Sequence, residues 1–326
     1  MAMKAAVLGA SGLRFEQIAR PQPGPDQILV RVHAGALNRA DLGVLAGGMH
    51  GGSGGAGTVL GMEWAGEVVE TGSRVSAFKP GDRVMCSGPG AFAEYAVTDW
   101  GRAMHVPAAS TTYEQAACLP LAVQTMHDAI VTNGRLRAGE TVMIQGASSG
   151  VGLMGLQIAK LMGAKTVIGT STTAARRERL IEFGADVALD TGNGDWPRLA
   201  IEANGGNGVD LIIDQLSGTQ ANQNMAAAAV RARIVNVGRM AGNRAEFDFD
   251  LHALKRITYI GVTFRTRSAE EIRAITARAG ADLEPHLRAG KLALPIDRVY
   301  PFDQLGEAFA RMRENRHFGK IIVAIA

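Results

Sequence analysis

The sequence predicts an α/β fold in which a doubly wound parallel sheet is inserted into a β-rich domain. Three observations carry that reading. The apolar run Thr141-Val-Met-Ile144 leads into a turn of small residues, after which Val151, Met154, Ile158 and Leu161 recur at helical spacing. From there to Thr263, strand-like and helix-like segments alternate, which implies a parallel sheet covered on both faces. Before about Pro120 the chain instead reads as short alternating strands separated by Pro and Gly turns.

Residues 27–33 alternate as a half-buried strand after a Pro-rich turn at 21–25, and 62–71, 83–86 and 92–97 are further strands. Lys79-Pro-Gly-Asp82 makes a turn between two of them. Together these suggest a barrel. Asn38 and Asp41 precede a helix; Asp41 is read as its cap and Asn38 as facing a pocket. Residues 47–57 form a glycine-rich loop, expected to be mobile; a lid and a surface insertion fit it equally. Gln124, Thr125 and Met126 are expected to open a helix after Leu121. In the α/β span, strands are predicted at 141–144, 166–170, 187–189, 209–214, 233–238 and 258–263, with helices at 174–183 and 220–230 among those between them. The strand ends near Gly146, Thr170, Asp214, Gly238 and Thr263 should line a ligand cleft. A helix from Ala269 into Leu287, the segment Asp297-Arg-Val-Tyr-Pro301, a helix at 304–313 and a strand at 320–325 complete the chain.

Strand, tight turn and helix at 141–163 form the entry to a dinucleotide-binding unit. There a helix N-terminus turns free N–H groups and a positive dipole end toward a pyrophosphate. Gly150 and Gly152 allow close approach, while Ala147 and Ser149 stand where the fingerprint has its earlier glycines. At the end of the second strand no acid is present to hold ribose hydroxyls. The run is Thr170-Ser-Thr-Thr173, followed by Arg176, Arg177 and Arg179. Arginine binds phosphate as a fork of charged donors, so a 2′-phosphate is expected and the cofactor reads as NADPH.

Composition narrows the remaining classes. A 326-residue chain exceeds one small core, and two domains are expected. The net charge of +3 is spread out, without a basic run, so nucleic acid is not an expected partner. No apolar run reaches membrane-spanning length, and the N-terminus lacks a signal-like apolar region. Cys86 and Cys118 have no disulfide-framework spacing, which points to a reducing cytoplasm.

Several motifs together resemble the medium-chain dehydrogenase/reductase superfamily over essentially the whole chain. They are Asn38-Arg-Ala-Asp41, Leu60-Gly-Met-Glu-Trp-Ala-Gly-Glu67, Phe78-Lys-Pro-Gly-Asp-Arg-Val84, Phe92-Ala-Glu-Tyr-Ala96, the turn 146–152, and Phe318-Gly-Lys-Ile-Ile-Val323. The likeness is to its zinc-free NADPH:quinone oxidoreductase branch. Asn38-Arg-Ala-Asp41 and Phe264-Arg-Thr-Arg267 favour the tumour-suppressor-inducible quinone reductase sub-branch. The resemblance implies a GroES-like catalytic domain at 1–122, a Rossmann domain at 123–264 and a C-terminal return at 265–326. It implies hydride transfer from NADPH to a quinone bound between the domains; the alternatives are an enoyl or enone reductase and a non-enzymatic NADPH-binding protein.

Residue by residue, the resemblance places Asn38, Met49 and Ser149 at catalytic positions. It places Asn38, Thr125, Ser149, Gly150, Val151, Ser171, Arg176, Gly238, Phe264 and Lys320 around the cofactor. Zinc is not expected, because the positions of two Cys and one His in the zinc enzymes hold Asn38, Leu121 and Met62 here. A family tyrosine falls at Gly43 or near Met49, neither of which donates a proton. His50 could substitute, although a surface histidine is the plainer reading. Glu63 is expected to make a buried structural hydrogen bond. The apolar strand at 257–262 is an edge candidate, and by family likeness it would pair with its symmetry mate in a homodimer.

Overall fold

The computed structural model describes residues 1–10 and 12–325. The chain opens with an antiparallel pair, β1 (Ala2–Gly9) and β2 (Gly12–Ala19). Sequence alternation gave no warning of it, because β1 is buried on both faces and reads as a plain apolar run. Next come β3 (Gln27–Ala36), α1 (Arg39–Leu45), β4 (Trp64–Thr71), β5 (Arg83–Cys86), β6 (Tyr95–Asp99), β7 (Ala103–His105) and α2 (Tyr113–Ala117). The strand expected at 92–97 is displaced to Tyr95–Asp99. Phe92 is instead fully buried, and its carbonyl accepts from Ala6 N at 2.8 Å.

Helix α3 (Pro120–His127) begins on a proline, whose missing N–H costs nothing in a first turn. Gln124, Thr125 and Met126 therefore sit inside this helix rather than opening it, and a π-helical stretch, Asp128–Asn133, follows. The α/β segment then runs β8 (Thr141–Ile144), α4 (Gly150–Leu161), β9 (Thr166–Thr170), α5 (Ala174–Glu178), β10 (Val187–Leu189), α6 (Trp196–Glu202), β11 (Val209–Asp214), α7 (Ala221–Ala227), β12 (Ala228–Asn236), α8 (Phe249–Lys255) and β13 (Thr258–Gly261). Four expectations shift: the strands read at 233–238 and 258–263 end at Asn236 and Gly261, and two helices are shorter than read. The helix read at 174–183 tightens into a 3-10 stretch at Arg179–Phe183, and the one read at 220–230 stops at Ala227, where β12 starts. An alanine run, Ala226-Ala-Ala-Ala229, has no pattern that separates helix from buried strand. The chain closes with α9 (Ala269–Arg288), β14 (Ile296–Pro301), α10 (Leu305–Arg313) and β15 (Lys320–Ala324).

Two compact units result: Met1–Leu121 with Phe264–Ala326, and Ala122–Thr263. Each boundary falls one residue before the expected one. The second unit is a six-stranded parallel sheet in the order β10-β9-β8-β11-β12-β13, the doubly wound arrangement, with β13 at its edge. Its core gathers Met143, Ile168, Trp196, Ile212, Met225 and Ile234.

The first unit is a sheet in the order β14-β15-β3-β4-β5-β7, with β6 also paired to β3. Trp64, Phe92, Phe309, Leu60 and Ile321 lie in its core. Helix α9 is started by a reciprocal cap, in which Ser268 Oγ accepts from Glu271 N and Glu271 Oε2 accepts from Ser268 N at 2.8 Å. Its Arg273 bonds Asp99 at 2.6 and 2.9 Å, tying α9 to the end of β6. Among the described residues no helix is long and apolar enough to cross a membrane.

Candidate active site

In the second unit the turn after β8 is built for close approach. Ser149 caps α4: its Oγ accepts from Gly152 N at 3.0 Å and donates toward Gly146 O at 3.1 Å and Gln215 Oε1 at 3.2 Å. A Cβ on Gly152 would stand 2.6 Å from Ala147 Cα, so only glycine lets the helix start fold onto the turn. With Gly152 N satisfied by the cap, the N–H groups of Gly150 and Val151 are first-turn donors of a twelve-residue helix, which have no acceptor within the helix. That is the donor set a phosphate requires, and the residues present fit a dinucleotide's pyrophosphate.

The turn is braced from beneath. Gln215 Nε2 donates to Gln145 O at 2.9 Å, while Thr170 Oγ1 accepts from Gly146 N at 3.0 Å and donates to Gln145 Oε1 at 2.7 Å. Thr170 is therefore a buried strut of the turn and not one of the ligand hydroxyls its position suggested. Gln215 was missed in the sequence. Its signal was a polar run, Asp214-Gln-Leu-Ser217, at the end of an otherwise apolar strand. Asp214 holds that run, accepting from Leu216 N and Ser217 N at 2.9 Å each, and burial pushes its carboxyl above the usual range. Ser217 Oγ donates to Gly238 O at 2.6 Å, and a Cβ on Gly238 would meet Gln215 O at 2.4 Å, so this glycine keeps two strand ends in contact.

At the end of β9, Ser171 is buried, its Oγ 3.2 Å from Ser148 Oγ. Three arginines lie beyond it. Arg177 pairs with Asp190 at 2.9 Å and donates to Ser171 O, and Arg179 pairs with Glu182 at 3.2 Å. Both are committed to structure. Arg176 is half-buried in α5, five residues beyond Ser171.

In the first unit a buried polar cluster joins four distant segments. Lys320 Nζ bonds Glu63 Oε2 at 2.5 Å and Asn38 Oδ1 at 2.9 Å; Asn38 Nδ2 donates to Glu63 Oε2 at 2.9 Å; and Glu63 Oε1 accepts from Leu121 N at 2.8 Å. Glu63 is fully buried and Lys320 nearly so. Asn38, rather than Asp41, is the N-cap residue of α1. Asp41 stands three residues on and reaches back to Asn38 N at 2.7 Å. Burial, the dominant influence, pushes the Asp41 carboxyl up to about 7. Burial likewise pushes both thiols, Cys86 and Cys118, up to about 12, so neither is a nucleophile.

The chemistry of this arrangement fits its likenesses. The family described as "Alcohol dehydrogenase GroES-like domain" matches residues 24–108, and "Zinc-binding dehydrogenase" matches residues 150–279. The chain belongs to the medium-chain dehydrogenase/reductase superfamily. Within that superfamily it is 28% identical to the quinone oxidoreductase of Homo sapiens over 89% of this chain and 86% of that one. It is 28% identical to the low-reducing polyketide synthase drtA of Aspergillus calidoustus, matching over 93% of this chain but spanning only 13% of that much longer protein. An alcohol dehydrogenase superfamily protein from Novosphingobium aromaticivorans superposes with a TM-score of 0.89 at 29% identity, covering 99% and 100% of the two chains.

Met49, His50, Thr125 and Phe264 are the remaining predicted positions. Met49 is largely exposed on the 47–57 loop, and its thioether carries no proton to donate. His50 is half-buried rather than a surface histidine. Its backbone pairs with Ser53 at 2.8 and 3.1 Å, and burial, followed by the charge of Arg265, holds the imidazole below its usual range. Thr125 and Phe264 are half-buried, in α3 and at the start of the C-terminal return. Among the described residues no group of three or more His, Cys, Asp or Glu could hold a metal.

Proposed function

We propose that the chain is an NADPH-dependent quinone reductase that works without zinc. The observation that carries the cofactor half is the pairing of a capped, donor-rich helix start at Ser149–Val151 with a β9 that runs into Ser171 and on to Arg176 without an acid of its own at the strand end. Likeness to the human quinone oxidoreductase supports the acceptor half.

Bound NADPH supplies a hydride, and a quinone needs in addition only one proton, which water can deliver to the hydroquinone oxygen. The side chains then act by position. The Gly150 and Val151 N–H groups would hold the pyrophosphate, Arg176 the 2′-phosphate, and Gly238 and Thr125 the nicotinamide end, while Phe264 is a cofactor residue by family likeness alone. Asn38 and Lys320 close the buried Glu63 pair, Met49 offers an apolar contact to the acceptor, and no side chain moves a proton. Zinc has no fitting donor set, since Asn38, Met62 and Leu121 present neither thiolate nor imidazole. We place this enzyme in a reducing cytoplasm, which suits two unpaired cysteines, and as a homodimer joined at β13.

The test is the loss of reduced-nicotinamide absorbance with a panel of quinones and 2-alkenals, each with NADPH and with NADH. Quinone turnover that prefers NADPH supports the proposal. The polyketide synthase likeness favours a second reading, reduction of an activated C=C bond, and faster turnover of 2-alkenals than of quinones would decide for it. Tight NADPH binding without turnover of any acceptor would leave only a cofactor-binding protein.

A further inference from the structure

The second unit carries a cavity of about 400 Å³ that the reductase reading does not use. It lies at the end of the parallel sheet where β11 and β13 begin, around Asp210 and Thr258, whereas the phosphate turn follows the ends of the strands. The six residues of β11 separate the two ends by roughly 20 Å. A cavity of this volume lies within the range of small-molecule sites.

Its lining is strongly cationic. Arg135, Arg137 and Arg231 are exposed, and none of their guanidinium groups has an ion pair or hydrogen bond among the described residues. The two acids present are already engaged. Glu140 pairs through Oε1 with Arg233 at 2.7 Å and accepts Arg137 N through Oε2 at 2.9 Å, while Asp210 Oδ2 accepts Thr141 N at 2.8 Å. Arg233 is itself buried and donates to Gly134 O at 2.8 Å and Arg135 O at 2.7 Å, fixing the turn that presents Arg135.

The backbone is unusual at the same place. Arg135 and Arg231 both adopt left-handed conformations, with φ of 48° and 66°, which side-chain-bearing residues rarely take and which gather at ligand clamps. Between the pairs Val209↔Ala228 and Leu211↔Arg233, β12 carries more residues than β11, and the surplus bulges outward with Val230 and Arg231 exposed.

We propose that this cavity binds a compact polyanion bearing adjacent phosphate groups, of the diphosphate or triphosphate class. Each arginine offers a planar fork of donors that matches phosphate oxygens in pairs, and three such forks suit two or three linked phosphates better than one. No aromatic ring lines the cavity and Val230 is its one apolar aliphatic side chain, so a nucleoside base has nothing to stack on.

Calorimetric titration of the full chain with inorganic pyrophosphate and tripolyphosphate, with and without saturating NADPH, tests the proposal. Saturable binding that persists in the presence of NADPH is expected. Arg137→Gln with Arg231→Gln should weaken it about tenfold or more while leaving NADPH affinity unchanged. Both side chains are exposed, and Arg135→Gln repeats the test should the double variant misfold. Displacement of pyrophosphate by NADPH would assign the binding to the cofactor turn and overturn the proposal. Absence of saturable binding at millimolar concentration, indifference to the substitutions, or equal affinity for citrate would also overturn it.

Discussion

Lys320 and Glu63 are a buried ion pair completed by an amide, and their worth lies in what happens when one is removed. Lys320→Met leaves a carboxylate buried without its cation and should cost about 3–5 kcal/mol. Adding Glu63→Gln should restore most of that, and urea unfolding of the two single variants and the double variant measures the coupling. Asp41 gives a separate, pH-dependent prediction. Its folded pKa of about 7 lies above the ordinary carboxylate value, so the folded chain holds a proton that the unfolded chain releases. Stability contributed this way is present at low pH, falls as pH rises from roughly 4 to 7, and is flat above. Asp41→Asn should remove that slope, and an unchanged slope between about pH 5 and pH 7 would assign it to other groups. The sequence suggested a buried hydrogen bond for Glu63, and the resemblance placed Lys320 at the cofactor. Their pairing could not be read there, because 257 positions separate them along the chain.

At the scale of elements, the strand–turn–helix around Ser149 was the most legible part of the chain. Strands β8, β9, β10 and β11 fall at their expected residues, because a buried parallel strand bounded by glycine turns leaves a sharp local pattern. Less legible were the struts under the turn, Thr170 and Gln215, which act across neighbouring strands. Ser149→Ala should cost about 1 kcal/mol of stability through the lost cap, with Ser149→Gly costing less, and both should weaken NADPH binding. Gly238→Ala should destabilise by about 1–3 kcal/mol, because its methyl meets a backbone carbonyl that cannot move aside. Thermal melts rank these three variants, and a neutral Gly238→Ala would mean that the two strand ends separate more easily than their packing implies.

For the whole molecule, the sheet order leaves β13 with one open side, and a half-buried apolar Ile260 lies on it. An unprotected edge seeks a partner, so Ile260→Lys should convert the proposed homodimer to a monomer in light scattering; a wild-type monomer at micromolar concentration would end the dimer reading. Arg176→Glu should reverse the preference for NADPH over NADH in the quinone assay, and an unchanged preference would end the 2′-phosphate assignment. The sequence by itself determined the two-part α/β architecture, the parallel order implied by alternation, and the dinucleotide turn. Each of these is encoded in periodicity and turn residues a few positions apart. Only the tertiary structure decided that Arg177 is paired with Asp190, that Asn38 meets Lys320, and that three arginines without ion pairs line one cavity. Those facts depend on which side chains meet across segments, and such meetings are set by packing and burial rather than by any local pattern.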